Sequence, residues 1–225
     1  MELNNAATHG RSDGAAAERA DTERVRRYYA EAAAEYDQRV EFAERSMFGN
    51  GRPWVCGRAE GDVLEIAIGT GRNIPYYPAE VRLTGIDLSP EMLAEAQRRA
   101  AELGRAVDLQ LGNAEALPFP DVRFDTVVVT LGLCTIPDPR AAVAEARRVL
   151  RPGGRLLLWE HVRSPVLPVR LVQMVLNPVC VRWHADHLLR EPLEYVRAEG
   201  FAVEEMERTN WGIAERLSAR KPLTA

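Results

Sequence analysis

Three of the four histidines in this 225-residue chain lie within two residues of an acid. His161 stands in Trp159-Glu160-His161-Val162, and an imidazole, with a reference pKa of about 6.5, is suited to taking a proton from an acceptor. The same residue could instead hydrogen-bond the chain and shape a pocket. His184 and His187 flank Asp186, a spacing that raises the question of a metal, but a clear fourth ligand is missing and a polar lid is the simpler reading. No metal site is therefore expected. Tyr36, with Tyr28 and Tyr29 nearby, is a second candidate for handling a proton.

Upstream, Glu65-Ile66-Ala67-Ile68-Gly69-Thr70-Gly71-Arg72-Asn73 follows an apolar run. Glycines there let the chain turn tightly and let a ligand approach main-chain N–H groups. Three readings compete. A dinucleotide site wants a third glycine where Ile74 stands, followed by Pro75, and a plain tight turn needs no ligand. An adenosyl ligand without phosphates needs the glycine turn and an acid for its ribose hydroxyls. Asp87, one βα unit downstream, is placed for that role, and Asn113 is able to donate to and accept from an adenine edge.

These residues need a scaffold that brings them to one edge. Short strand-like runs start at Val63, Arg82, Val107, Thr126 and Leu156, separated by helical stretches over Glu91–Leu103 and Arg140–Leu150. Ser89-Pro90 supplies an N-cap and a first-turn proline for the first of those helices. Strands alternating with helices imply βαβ units and a buried parallel sheet, whose ligands sit outside the carboxyl ends of the strands. Before the sheet, Arg24 to about Arg45 reads as a helix and Gly49–Gly61 as a loop with a short Trp54–Val55 segment. After it, Val166–Val181 reads as an apolar stretch broken by Pro168 and Pro178, and Glu191–Glu199 as a helix closed by Gly200. Phe201–Arg208 and Trp211–Ala219, separated by Thr209-Asn210, read as a terminal antiparallel hairpin.

Composition removes several functional classes. Of 29 basic residues Lys221 is the only lysine, so neither a Gly-Lys-Ser/Thr phosphate loop nor a Schiff-base lysine on a packed element can be built. The net charge of −4 argues against a nucleic-acid partner. Cys56, Cys134 and Cys180 are odd in number and widely spaced, which points to a reducing, cytoplasmic setting. Residues 1–20 read as a disordered tail with neither a signal peptide nor an anchor, and no apolar run is long enough to span a bilayer. The remainder reads as one domain: a helical cap over 21–60, a ligand-binding half over 62–161, a lid over 162–190, and a last helix with the hairpin over 191–220.

Four segments in order resemble the class I S-adenosylmethionine-dependent methyltransferases: Glu65-x-x-x-Gly69-x-Gly71, Asp87-x-Ser89-x-x-Met92, Asn113-Ala114-Glu115-x-Leu117-Pro118-Phe119 and Leu150-Arg151-Pro152-Gly153-Gly154. Ala67 replaces that family's usual first glycine, and Asn113 a common aspartate. The resemblance implies a Rossmann-like α/β fold with a seven-stranded, mostly parallel sheet, its last strand reversed, with helices on both faces and a helical lid. It implies S-adenosyl-L-methionine as the cofactor. Glu65, Ala67, Gly69, Gly71 and Asn73 would then surround the methionine end and Asp87 the ribose. Leu88, Met92, Asn113, Ala114 and Glu115 would meet the adenine, Thr130 and Leu131 would contact the cofactor from a segment that faces the substrate, and Tyr28 and Tyr36 on the first helix would pack over the cofactor.

The acceptor would face Leu133, His161, Trp183, His184 and His187. Leu133-Cys134, Glu160-His161-Val162, Asn177-Pro178 and Leu188-x-Arg190-Glu191 look most like a branch with small thiol and phospholipid N-methyltransferases, while quinone C-methyltransferases share the core motifs. The expectation is methyl transfer to a small hydrophobic molecule, with peripheral membrane contact as an option and the oligomeric state open. The alternatives are a phospholipid or quinone methyltransferase at a membrane surface, and a cofactor-binding partner subunit without turnover.

Overall fold

The computed structural model describes residues 6–223. Seven strands form one sheet in the order β3-β2-β1-β4-β5-β7-β6. These are β1 (Asp62–Ile66), β2 (Arg82–Asp87), β3 (Val107–Leu111), β4 (Phe124–Thr130), β5 (Leu150–His161), β6 (Ala202–Thr209) and β7 (Ala214–Arg220). The first five pair in parallel, whereas β7 is inserted antiparallel between β5 and β6. Strand order reverses between β1 and β4, so the carboxyl ends of these two strands bound the crevice where an open α/β sheet takes its ligand.

The central strands are apolar on both faces because both are covered. Leu64, Val127, Val129, Leu156 and Leu158 pack on one side with α5 (Pro139–Val149) and α7 (Pro192–Ala198). Val63, Val128, Leu157 and Trp159 pack on the other with α3 (Gly51–Cys56) and α4 (Pro90–Glu102). Capping fixes two of the helix starts. Ser89 Oγ accepts from the Met92 N–H at the head of α4, and Asp138 accepts from Arg140 and Ala141 at the head of α5. Lys221, the only lysine, donates to the carbonyls of Arg147 and Leu150 at 2.7 Å, a structural role at the rim of the sheet.

Four segments differ from the sequence expectation. The chain is already helical from Ala6, in α1 (Ala6–Ala32), so of the expected tail Met1–Asn5 lie outside the described residues and the rest belongs to this alanine-rich helix. The expected cap helix is interrupted: after α1 come a 3-10 turn at Ala33–Glu35, α2 (Tyr36–Ala43) and a π turn at Glu44–Phe48. Gly49–Gly61 contains the helix α3 rather than a simple loop, with Val55 and Cys56 fully buried. Its glycine and proline sit at the amino end, where they do not oppose a helix. Val166–Val181 is likewise unbroken, Val166 serving as the N-cap and the rest lying within α6 (Leu167–His184). Pro168 lies in its first turn, where no backbone donor is lost, and Pro178 lies on the exposed side of the helix. Among the described residues no helix is long and apolar enough to cross a membrane.

Candidate functional site

The turn after β1 runs through left-handed backbone at Ala67 (φ 54°), Gly69 (φ 57°) and Gly71 (φ 76°). Each glycine has its own reason. A Cβ on Gly69 would point into open space within the crevice, whereas one on Gly71 would come within 2.6 Å of Ile74 Cδ1 and 3.2 Å of the Ala96 backbone. Ala67 holds the same conformation with a side chain, a strain that functional turns tolerate when their surroundings fix them. Asp87 locks the turn, because its Oδ2 accepts from the Gly69 N–H at 2.8 Å and its Oδ1 from the Ser89 N–H at 2.9 Å. Burial raises the Asp87 carboxyl above the ordinary aspartate value against the pull of these donors.

The crevice spans about 850 Å³, part of it open to solvent. Ala67, Gly69, Asp87, Leu88, Met92, Asn113, Ala114, Thr130 and Leu131, all among the expected cofactor contacts, line it. The adenosyl group implied by the motifs fits this lining. Asp87 accepts backbone donors on both oxygens and keeps lone pairs for a diol, Ile86, Leu88 and Met92 form an apolar wall, and the open space at Gly69 is what a ligand's approach requires. Asn113 meets the crevice with its side chain already tied to Glu115, accepting from the Glu115 N–H at 3.0 Å and donating to its carboxylate at 3.1 Å.

Five of the expected contacts do not line the crevice, Gly71 among them, packed against Ile74 and Ala96. Glu65 is buried behind the crevice, its two oxygens taken by Asn73 Nδ2 at 2.7 Å and the Tyr77 hydroxyl at 2.9 Å. Asn73 is fully buried with it and also donates to Thr130 Oγ1 at 2.9 Å. Glu115 accepts from the Asp138 N–H at 2.7 Å and so fixes the loop after β3 from outside the cavity. Tyr28 lines a neighbouring cavity, and Tyr29 takes its place at the crevice. A signal for these displacements existed in part, since the two buried members of the turn, Glu65 and Asn73, are strong hydrogen-bonding groups that must be paired when desolvated.

Sequence reasoning missed Arg52, because it sits in the segment read as a loop. Its guanidinium is buried, makes an ion pair with Glu44, donates to Asn73 Oδ1 at 2.8 Å and lies 5.4 Å from the Trp159 ring. Arg72 adds a bond to Glu44 at 3.1 Å. Asp37 accepts from Thr70 Oγ1 at 2.7 Å and pairs with Arg99, so the cap is fastened to the glycine turn at a second point.

A second cavity adjoins the crevice. The two share Tyr29, Tyr36, Leu131 and Thr135 as lining, and the second continues to Phe48, Cys134, His161, His184 and Asp186. His161 Nε2 lies 2.8 Å from Asp186 Oδ1. Burial disfavours the charged form of both, yet their mutual attraction raises His161 above the ordinary imidazole value and lowers Asp186 below the ordinary carboxylate value. An ionised carboxylate only accepts, so the proton of the neutral ring belongs on Nε2 and Nδ1 keeps its lone pair. That Nδ1 is buried without a partner among the described residues. The Phe48 ring stacks on the imidazole at 5.6 Å.

Of the expected acceptor contacts, His161 and His184 line this second cavity. Leu133 belongs to the core, Trp183 is 68% exposed beside α1, and His187 lines a separate groove with Asp138 and Arg190. Burial raises the Tyr36 phenol far above its usual value, which makes it a donor and a packing group rather than a base. The metal question moves from His184 and His187 to a different set: Cys134, His161 and Asp186 each offer one ligand atom, all within 4.8 Å of one another. Burial, then Asp186 and Glu160, raise the Cys134 thiol, so it is protonated and hydrogen-bonds the same carboxylate as His161.

Burial pushes Glu65 up to about 7 from an ordinary value of 4.5, against the hydrogen bonds from Tyr77 and Asn73. Between these two values the folded chain binds a proton that the unfolded chain has released, so protonation of Glu65 favours the fold as pH falls. The unfolding free energy of the native chain, relative to Glu65→Gln, should therefore grow as pH is lowered from about 7 to 4.5. Urea titrations of both proteins across this range measure it, and a constant difference would contradict the assignment.

The methyltransferase domain model matches residues 64–158. Over 130 residues the chain is 38% identical to a phosphatidylethanolamine N-methyltransferase of Cereibacter sphaeroides, covering 56% of this chain and 64% of that protein. Over 180 residues it is 31% identical to a thiol S-methyltransferase of Rattus norvegicus, covering 76% of this chain and 72% of the relative. The chain thus spans less than two thirds of the first relative's length. A solved structure from Thermotoga maritima, described as a SAM-dependent methyltransferase and possible histamine N-methyltransferase, superposes with a TM-score of 0.67 at 23% identity. It covers 87% of this chain and 99% of its own, a likeness of fold. The sheet order, the glycine turn locked by Asp87 and these relatives agree: the chain belongs to the class I S-adenosylmethionine-dependent methyltransferases.

Proposed function

We propose that this protein transfers the methyl group of S-adenosylmethionine to a small, hydrophobic acceptor that gives up a proton to His161, leaving S-adenosylhomocysteine. One observation carries the reading: two cavities share a wall at Tyr36, Leu131 and Thr135, and the second is lined by His161, whose Nε2 is held by Asp186 while its buried Nδ1 has no partner among the described residues. When bound, the cofactor supplies an electrophilic methyl on a sulfonium. The protein's part is to align and to keep water out, an effect worth roughly 7–11 kcal/mol in well-oriented systems. Asp87 and the Gly69 turn hold the adenosyl end, and the cap fastened through Arg52 and Asp37 closes over it.

A thiol is the acceptor class that the base suits best. Its proton, with a pKa of about 8.5, is within reach of an imidazole raised by a carboxylate, whereas an ammonium near 10 is a harder donor. Similarity to a thiol S-methyltransferase supports this choice, and similarity to a phosphatidylethanolamine N-methyltransferase keeps a headgroup amine as the second reading. A panel of thiols, phenols, amines and phospholipids incubated with methyl-labelled S-adenosylmethionine separates them. Label in none of the panel would favour a cofactor-binding partner subunit without turnover.

Two substitutions test the assigned roles. Asp87→Ala removes hydrogen bonds to the ribose and should weaken S-adenosylmethionine binding by about 1.5–3 kcal/mol in calorimetry; unchanged affinity would mean that the acid does not meet the ribose. His161→Asn should keep cofactor affinity and lower turnover by roughly 10²–10⁴-fold. The native rate should rise with pH along a limb displaced above the ordinary imidazole value. A native profile without that limb, or a variant at full rate, removes His161 from the chemistry.

A further inference from the structure

The helix α6 is built inside out. Its two amide side chains face the protein: Gln173 is buried, donating to the carbonyls of Val162 at 2.9 Å and Leu188 at 3.2 Å and accepting from the Ser164 N–H at 2.8 Å. One turn on, Asn177 accepts from the Leu188 N–H at 2.8 Å. Its apolar side chains face outwards. Leu171, Val172, Val175, Leu176, Val179 and Trp183 are between 47% and 75% exposed. A helix on a water-facing surface shows the opposite arrangement, and soluble monomers rarely carry an apolar patch of this extent without a use for it.

We infer that this outer face of α6 docks on an anionic lipid surface, with the helix lying in the interface plane. The 18 residues span about 27 Å, long enough for a flat contact and too short and polar within to cross. Charge selects the occupant. In a chain of net charge −4, Leu167–His184 carries two arginines and no acid; Arg182 is exposed and Arg170 half-buried on the side of Gln173 and Asn177, and neither forms an ion pair with a described residue. Anionic headgroups complement such a helix, whereas an isologous contact with a second copy would set two acid-free, arginine-bearing helices against each other. Aromatic rings mark both ends, Trp183 near the carboxyl end and the 74% exposed Trp211, whose carbonyl accepts from Ser164 Oγ at 2.6 Å just before the helix begins. Tryptophan at such positions suits the headgroup level.

The face also adjoins the second cavity. His184 ends α6 and Asp186 follows it, and both line the space that holds His161. An acceptor dissolved in the lipid would thus reach the cavity beside the docked helix. This docking does not depend on methyl transfer, so it is testable on the chain alone.

Sedimentation of the full chain with vesicles of equal parts phosphatidylcholine and phosphatidylglycerol, and with phosphatidylcholine alone, reads the contact. The native chain should sediment with the anionic vesicles and less with the neutral ones. The double variant Val172→Glu, Val175→Glu should bind them at least about tenfold more weakly while its circular dichroism and melting temperature stay native. A native chain that remains in the supernatant with both vesicles overturns the inference, as does a folded double variant that binds like the native chain. A dimer in solution that the same substitutions dissociate, without vesicle binding, assigns the face to a second copy instead.

Discussion

A guanidinium taken out of water must find a carboxylate and enough acceptors, because an uncompensated buried charge is worth several kcal/mol of instability. Arg52 is that group here. Its partners come from separate parts of the chain: Glu44 from the end of the cap, Asn73 from the turn after β1, and the Trp159 ring from β5. Asn73 passes the constraint on to Glu65, and Glu65 to Tyr77. The cap is thereby fixed on the carboxyl edge of the sheet, and the Asp37 pairing with Thr70 and Arg99 sets its direction.

Because the cap is held at these two points, the space above the strand ends is divided. On one side lies the crevice between β1 and β4, on the other the volume under Tyr28, Tyr29 and Tyr36, which the proposed function gives to the cofactor and the acceptor respectively. Leu131 stands in the dividing wall with φ 51° and donates its N–H to the Trp159 carbonyl at 2.8 Å. A non-glycine residue in left-handed backbone at such a point is strain held where two sites meet. Glu160 steadies the same loop from beneath, accepting from the Gly132 and Leu133 N–H groups at 2.8 and 3.1 Å. One fold hosts many chemistries, so the residues lining the second cavity, not the sheet, must set the acceptor.

What the sequence made legible follows from how local each signal is. The βαβ alternation, the Ser89 cap, the glycine turn and Asp87 are encoded within a few residues, and each lies where the pattern puts it. Contacts made through the third dimension were harder to read. Glu65 and Asn73 face each other behind the turn rather than the ligand, since two strong polar groups on adjacent buried elements satisfy one another first. Arg52 was hidden because glycine and proline in Gly49–Gly61 imitate a loop, although they stand where a helix begins. Asp186 was visible only as the residue between two histidines, and its pairing with His161 depends on α6 and the turn after it folding back over the strand ends. Pro168 and Pro178 read as breaks in a helix that runs through both, and this concealed the inverted polarity of its faces.

A crystal structure of the chain with S-adenosylhomocysteine tests the central claim, that one wall separates cofactor from acceptor, most directly. The account predicts the ribose on Asp87, the adenine between Met92 and Ala114, and the sulfur at the Tyr36–Leu131–Thr135 wall, turned towards His161. An adenosyl group bound elsewhere, or a sulfur turned away from the second cavity, would contradict it.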